Sequence, residues 1–136
     1  MSTISTHTGF VYLMVLVSAS DRNMTDKELK RMGYLVDNLP IFSDYDSNRL
    51  VTDAESCAEI LQVEDGLEAV LGLVSDAVPE SHRDTAYALA CEIAAADGKL
   101  SQEEVRLLEM IRHELDVDRL TAAAVERGIA ARYRRL

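Results

Sequence analysis

The sequence predicts an all-α domain, and three observations predict it. A phrase running from Asp21 to Glu28 recurs from Asp97 to Glu104, 76 positions later, each time after an apolar run and each time with a hydroxyl residue four on and Glu seven on. Both copies lead into apolar residues spaced three and four apart, and no segment alternates apolar and polar residues between turns as a half-buried strand does. The register also extends beyond the corners: Val17 matches Ile93, Ala19 matches Ala95, Met32 matches Leu108, Leu35 matches Ile111 and Leu39 matches Leu115 at the same offset. The expected object is one compact domain of about seven helices, built around two pseudo-repeated helical hairpins.

At 136 residues the chain is long enough to bury a sizeable core and short for two independent domains. Residues 1–9 are polar and read as a flexible N-terminus, and 10–136 as the helical domain. The run Phe10 to Val17 taken alone suits a buried strand, but its match to the alanine-rich segment Tyr87 to Ala96 makes it helix. Thr25-x-x-Glu28 reads as a capping box opening the second helix, whose stripe Met32, Leu35, Val36 and Leu39 runs until Pro40. Phe42 to Asn48 is a polar connector in which Asp44 and Asp46 read as solvated turn residues. Thr52-x-x-Glu55 reads as another capping box, opening a third helix through about Val63.

A fourth helix is expected from near Asp65 through Leu67, Val70, Leu71, Val74 and Ala77, ending near Pro79. The fifth starts between Ser81 and Asp84 and carries Tyr87, Leu89, Ala90, Ile93 and Ala94. Ser101-x-x-Glu104 opens the sixth, above the stripe Val105, Leu107, Leu108, Ile111 and Leu115; Asp118 caps the last, residues 119–133. Small residues at Ala94, Ala95 and Ala96 permit close packing, with the first helix as the expected partner.

The formal charge of −10 argues against phosphate backbones, hence against nucleic acid, and favours cations, basic peptides or cationic surfaces. Charge is also segregated: Arg119 to Leu136 holds five arginines and one glutamate, leaving the rest at −14. Two readings of this tail stand together, complementation of the last helix's dipole and docking to an acidic partner or membrane surface. Cys57 and Cys91 sit in apolar helical contexts without metal-ligand spacing, as expected of inert thiols in a reducing compartment. An eight-residue apolar run is too short for a transmembrane span, and no signal peptide is expected.

The corners carry the candidate chemistry. Asp97 is expected at a helix C-terminus, where the carbonyl dipoles disfavour a carboxylate and a cation would relieve the conflict. Asp97-Gly98-Lys99-Leu100-Ser101-x-x-Glu104 also has the order of the second half of a calcium-binding EF-hand loop. The first half is missing, because Ile93 and Ala95 occupy its ligand positions. One corner alone therefore cannot enclose calcium, whereas Asp21, Glu28, Asp97 and Glu104 together offer a shared set. The alternative is purely structural, with Asp97 capping a turn and Glu104 completing its box. In the first copy Arg22 replaces the glycine and sets a positive charge beside the site.

The segment Ala94 to Glu104, followed by Leu107, Leu108 and Ile111, with the weaker phrase Ala19 to Glu28, resembles the tellurite-resistance protein B (TerB) family and its wider TerB-like superfamily. The resemblance covers residues 10 to about 133. It implies an all-helical two-hairpin core and a role in tellurite resistance and the related stress response. The protein is expected to be cytoplasmic, peripheral to the inner membrane through a membrane-associated resistance partner. It implies acidic metal binding rather than catalysis, with Asp21, Glu28, Asp97 and Glu104 as the family's acidic positions.

Enzymatic alternatives lack their residues. A di-iron carboxylate bundle needs Glu-x-x-His pairs, and the residues three before His7, His82 and His113 are Ile4, Pro79 and Met110. There is no glycine-rich phosphate loop, and the two thiols look too isolated for reduction of tellurite. The expectation is a non-catalytic accessory protein with a divalent cation site, calcium favoured, and no organic cofactor. The alternative is a metal-free helical module that docks a membrane-associated partner.

Overall fold

The computed structural model describes residues 3–18, 25–96 and 100–136. Among them are seven α-helices and no strand: α1 (Thr6–Ser18), α2 (Asp26–Asn38), α3 (Leu50–Leu61), α4 (Gly66–Ala77), α5 (Arg83–Ala95), α6 (Gln102–Glu114) and α7 (Arg119–Arg132). No described helix is long and apolar enough to cross a membrane.

Every residue of α1 from Thr8 to Ser18 is buried. A helix apolar around its whole circumference has no face to offer water, and α3, α4 and α5 pack around this one. Three valines at positions 11, 15 and 17 lower its intrinsic helix propensity, so packing rather than local preference holds it. At Gly9 an added Cβ would lie 3.2 Å from Ala77 Cβ, which measures how closely α1 approaches α4. The Thr6 hydroxyl donates to the carbonyl of Ala77 at 2.8 Å beside that contact.

The first helix starts at Thr6 rather than Phe10. Ser5 Oγ accepts from the Thr8 N–H at 3.1 Å, satisfying a free donor of the first turn. His7 Nε2 lies 2.8 Å from Ile41 O and 3.2 Å from Asp44 Oδ1, with its ring beside Phe42 and Tyr45. Residues 6–9 are thus part of the helical body, and Asp44 faces a ring nitrogen as well as solvent.

α2 and α6 begin at Asp26 and Gln102 and end at Asn38 and Glu114, both pairs 76 positions apart. Met32, Leu35 and Val36 are buried on α2, and Leu108 and Ile111 on α6. The turns that would complete the repeated hairpins, including Ala19 and Gly98, lie outside the described residues. α5 lies between α1 and α7, with Ala86, Ala90 and Ala94 buried. The expected approach of the alanine-rich helix to the first helix is present.

Thr52 and Glu55 do not form a capping box. α3 begins two residues earlier, at Leu50, with no side-chain bond at its N-cap, Arg49. The physical reason lies upstream, where a 3-10 turn, Ser47–Arg49, is started by Asp46 accepting from the Asn48 N–H at 3.1 Å and runs directly into the helix. Thr52 is therefore inside the first turn, and Asp46 is a cap rather than a merely solvated residue.

Arg83 joins three helix ends. Its Nε donates to Val78 O at 3.2 Å, Nη1 to Leu115 O at 3.1 Å and Nη2 to Ser75 O at 3.1 Å. The start of α5 thereby satisfies carbonyls left over at the ends of α4 and α6. α6 closes with Asp116 at φ 53° and Val117 N–H donating to Arg112 O at 3.1 Å, a Schellman-type ending that turns the chain toward α7.

Candidate functional site

The described halves of the two corners share one geometry. Thr25 Oγ1 accepts from the Glu28 N–H at 3.2 Å, while Glu28 Oε1 accepts from both the backbone N–H and the hydroxyl of Thr25 at 3.0 Å. Ser101 Oγ accepts from the Glu104 N–H at 3.1 Å, and Glu104 Oε1 accepts from the Ser101 N–H at 3.2 Å. Both boxes are therefore complete, as their spacing predicts. Asp21 and Asp97 lie outside the described residues, so the shared set of four carboxylates is seen only through Glu28 and Glu104. Among the described residues no three His, Cys, Asp or Glu side chains cluster in a way that could hold a metal ion.

Elsewhere the helices bury carboxylates that periodicity alone does not mark. Asp53 on α3 accepts from the Tyr45 hydroxyl at 2.7 Å and the Thr8 hydroxyl at 3.2 Å, and Arg49 Nη2 stands 3.6 Å from its other oxygen. It thus ties α3 and the connector to Thr8, a buried polar residue in the first turn of α1. Burial pushes the Tyr45 phenol up, and its bond to Asp53 pushes further in the same direction.

Glu92, on α5, is the second buried carboxylate. Its Oε1 accepts from Arg132 Nη2 at 2.8 Å and from the Tyr133 hydroxyl at 2.6 Å. One helical turn earlier, Tyr87 donates to Glu126 Oε2 at 2.5 Å. Two tyrosine–carboxylate bonds of opposite polarity thus fasten α7 to α5, one with the acid on each helix. Burial raises the phenol of Tyr133, aided by Glu92, while the Glu92 carboxylate raises the Arg132 guanidinium. The sequence signal for Glu92 is a lone carboxylate inside the alanine-rich segment Tyr87 to Ala96; its partners are about 40 positions away.

The thiols sit in dry surroundings. Cys57 donates weakly to Tyr12 O at 3.6 Å, and burial pushes its pKa up to about 12. Burial likewise holds Cys91 at about 12. Thiolates at neutral pH, the form that redox and nucleophilic chemistry requires, are therefore suppressed at both positions.

Described residues also line two concavities. A groove of about 860 Å³ runs between the α3–α4 turn and α6, floored by Leu16, Leu61, Leu67, Leu107 and Met110. A smaller one of about 260 Å³ lies beside α7, walled by Leu100, Leu108, Ile129 and Tyr133. Another surface feature is α7 and the residues after it, where Arg119, Arg127, Arg134 and Arg135 are exposed and form no ion pair among the described residues.

A helical domain with a fully enclosed first helix, two capping-box corners and a basic final helix defines the class of structure. The family model described as "Tellurite resistance protein TerB" matches residues 7–127, and the chain belongs to that family. Neither the curated proteins nor the solved structures yield a match. The matched span includes both corners and most of α7, and stops before the last arginines.

Proposed function

We propose that this protein is a non-catalytic accessory protein of tellurite and related stress resistance, working in the cytoplasm by docking a membrane-associated partner. Family membership supports the resistance role. The observation that carries the docking reading is the C-terminal segment, α7 and the residues after it: four of the five arginines from Arg119 onward are exposed without ion pairs among the described residues, on a chain of net charge −10. Exposed cationic groups on an acidic body orient and select an acidic partner by complementary potential. Buried thiols with raised pKa values support a role without covalent chemistry.

The test is recovery of the protein with membranes that carry the resistance machinery, with and without charge reversal at Arg127, Arg134 and Arg135. A loss of about tenfold or more in the reversed variant is expected, because complementary rim charges govern encounter and register. Undiminished recovery would remove this surface from the reading.

A second reading is favoured by the twin corners. It adds a divalent cation, calcium first, held by Asp21, Glu28, Asp97 and Glu104. The bonds of both described boxes use only Oε1 of each glutamate, so capping and ligation are compatible. Glu28→Gln with Glu104→Gln keeps the caps, since an amide oxygen accepts the same bonds, and removes the charge. Calorimetric titration of metal-free protein is expected to show saturable calcium binding that the double variant loses; absence of heat at millimolar calcium sinks the reading.

A further inference from the structure

α7 packs against α5 through one side only. Ala122 and Ile129 are buried there, with Val125 half-buried between them. The opposite side is formed by Leu120, Ala124, Arg127 and Ala131, spaced four, three and four apart and so aligned along the helix, with Ala123 and Gly128 as flanks. All six are exposed, Leu120 at 79 %.

Two properties of this face point to the same occupant. Its relief is low: apart from Leu120 and Arg127 it presents only alanine and glycine, the residues that let a second helix axis approach to about 8 Å. Its charge has one sign. Glu126, the only acid between Arg119 and Leu136, is committed to Tyr87 on the α5 side. The C-terminal turn is also fixed rather than trailing, because Glu92 holds both Arg132 and Tyr133. Arg134 and Arg135 follow this anchored turn directly and are exposed, adding two positive charges at the C-terminal end of the helix.

We propose that the exposed face of α7 docks an acidic helix of a partner protein, alanine-to-alanine along Ala124, Gly128 and Ala131, with its carboxylates against Arg127, Arg134 and Arg135. This deepens the docking reading above and rests on it. The net charge of −14 outside the final segment disfavours such a helix on the rest of the body, where acids outnumber bases. An anionic bilayer is a poorer match, since interfacial binding uses bulky apolar anchors and this face offers Leu120 alone. Gly128 and Ala131, two of the six residues of this face, lie beyond the family match, as do Arg134 and Arg135.

The test is fluorescence anisotropy with a labelled synthetic helical peptide carrying alanine along one edge and glutamate on both sides. A matched lysine peptide and phosphatidylglycerol vesicles serve as comparisons. The full chain is compared with an Arg127→Glu, Arg134→Glu, Arg135→Glu variant and with Ala124→Trp, each checked for retained helix content by circular dichroism. Saturable binding of the acidic peptide is expected, weakened about tenfold or more by either variant, with the lysine peptide unbound. Four results overturn the proposal: equal binding of the lysine peptide, tighter binding to vesicles than to the acidic peptide, indifference to Ala124→Trp, or self-association of the protein alone through this face. If the peptide fails while membrane recovery still depends on the arginines, this inference falls and the broader docking reading stands. If that dependence also disappears, both fall.

Discussion

The hydroxyl of Tyr133 and the carboxylate of Glu92 meet at 2.6 Å across the α5–α7 boundary, and this bond ties the end of the last helix to α5. Tyr133→Phe removes the donor while leaving the ring in place. It is expected to cost about 1 kcal/mol in urea unfolding, the size of one hydrogen bond, and to increase amide exchange over the last turn of α7. Unchanged exchange there would mean that helix packing alone sets the end.

Arg83 serves three carbonyls from one guanidinium. Arg83→Lys keeps the charge, but a single ammonium cannot reproduce the planar fork. The variant is expected to lose about 1–2 kcal/mol, judged from the bonds left unmade. Equal stability of the two proteins would show that charge, not geometry, matters at this junction.

Two glycines should respond in opposite directions. At Gly66 a Cβ would sit 2.2 Å from Ile60 O and 2.8 Å from Leu61 Cα, both rigid backbone. Gly66→Ala is expected to destabilise by about 2 kcal/mol or more, as overpacking does. Gly72 lies inside α4 with nothing within 4 Å of the same position, so Gly72→Ala should stabilise by about 1 kcal/mol. Thermal unfolding of the pair checks both signs.

The two thiols give the alkaline limit of stability. Each is raised by burial from 9.0 to about 12. Above the ordinary thiol value the unfolded chain ionises while the native thiols stay protonated, so their contribution is full below about pH 9 and is lost as pH rises toward 12. Urea midpoints are expected to fall across that interval, and to fall less when Cys57 and Cys91 are both replaced by alanine. At neutral pH a water-soluble disulfide reagent should label neither thiol until urea unfolds the chain.

The helices were legible wherever local chemistry specifies them. Thr25 and Ser101 announce their boxes within four residues, and Met32, Leu35, Leu108 and Ile111 announce the buried stripes. Thr52 shows the limit of that reading, because the start of α3 is set by Asp46 and the 3-10 turn it begins, not by the helix's own opening residues. The buried acids were hidden for another reason: Glu92 is explained by Arg132 and Tyr133, and Asp53 by Thr8 and Tyr45, partners that only folding brings near. The candidate cation set was readable as a doubled phrase, and its described half consists of Glu28 and Glu104 in equivalent boxes.

The enclosed position of α1 sets an order of events during synthesis. This helix is synthesised before the three helices that cover it, and the last of them, α5, ends only at Ala95. Until α5 has been made its apolar circumference has no complete set of partners, and the contacts that finally bury it span long stretches of chain. Folding should therefore be slower than for a bundle of sequential neighbours. The nascent protein, rather than the finished one, is the species most exposed to aggregation and most dependent on a holding chaperone.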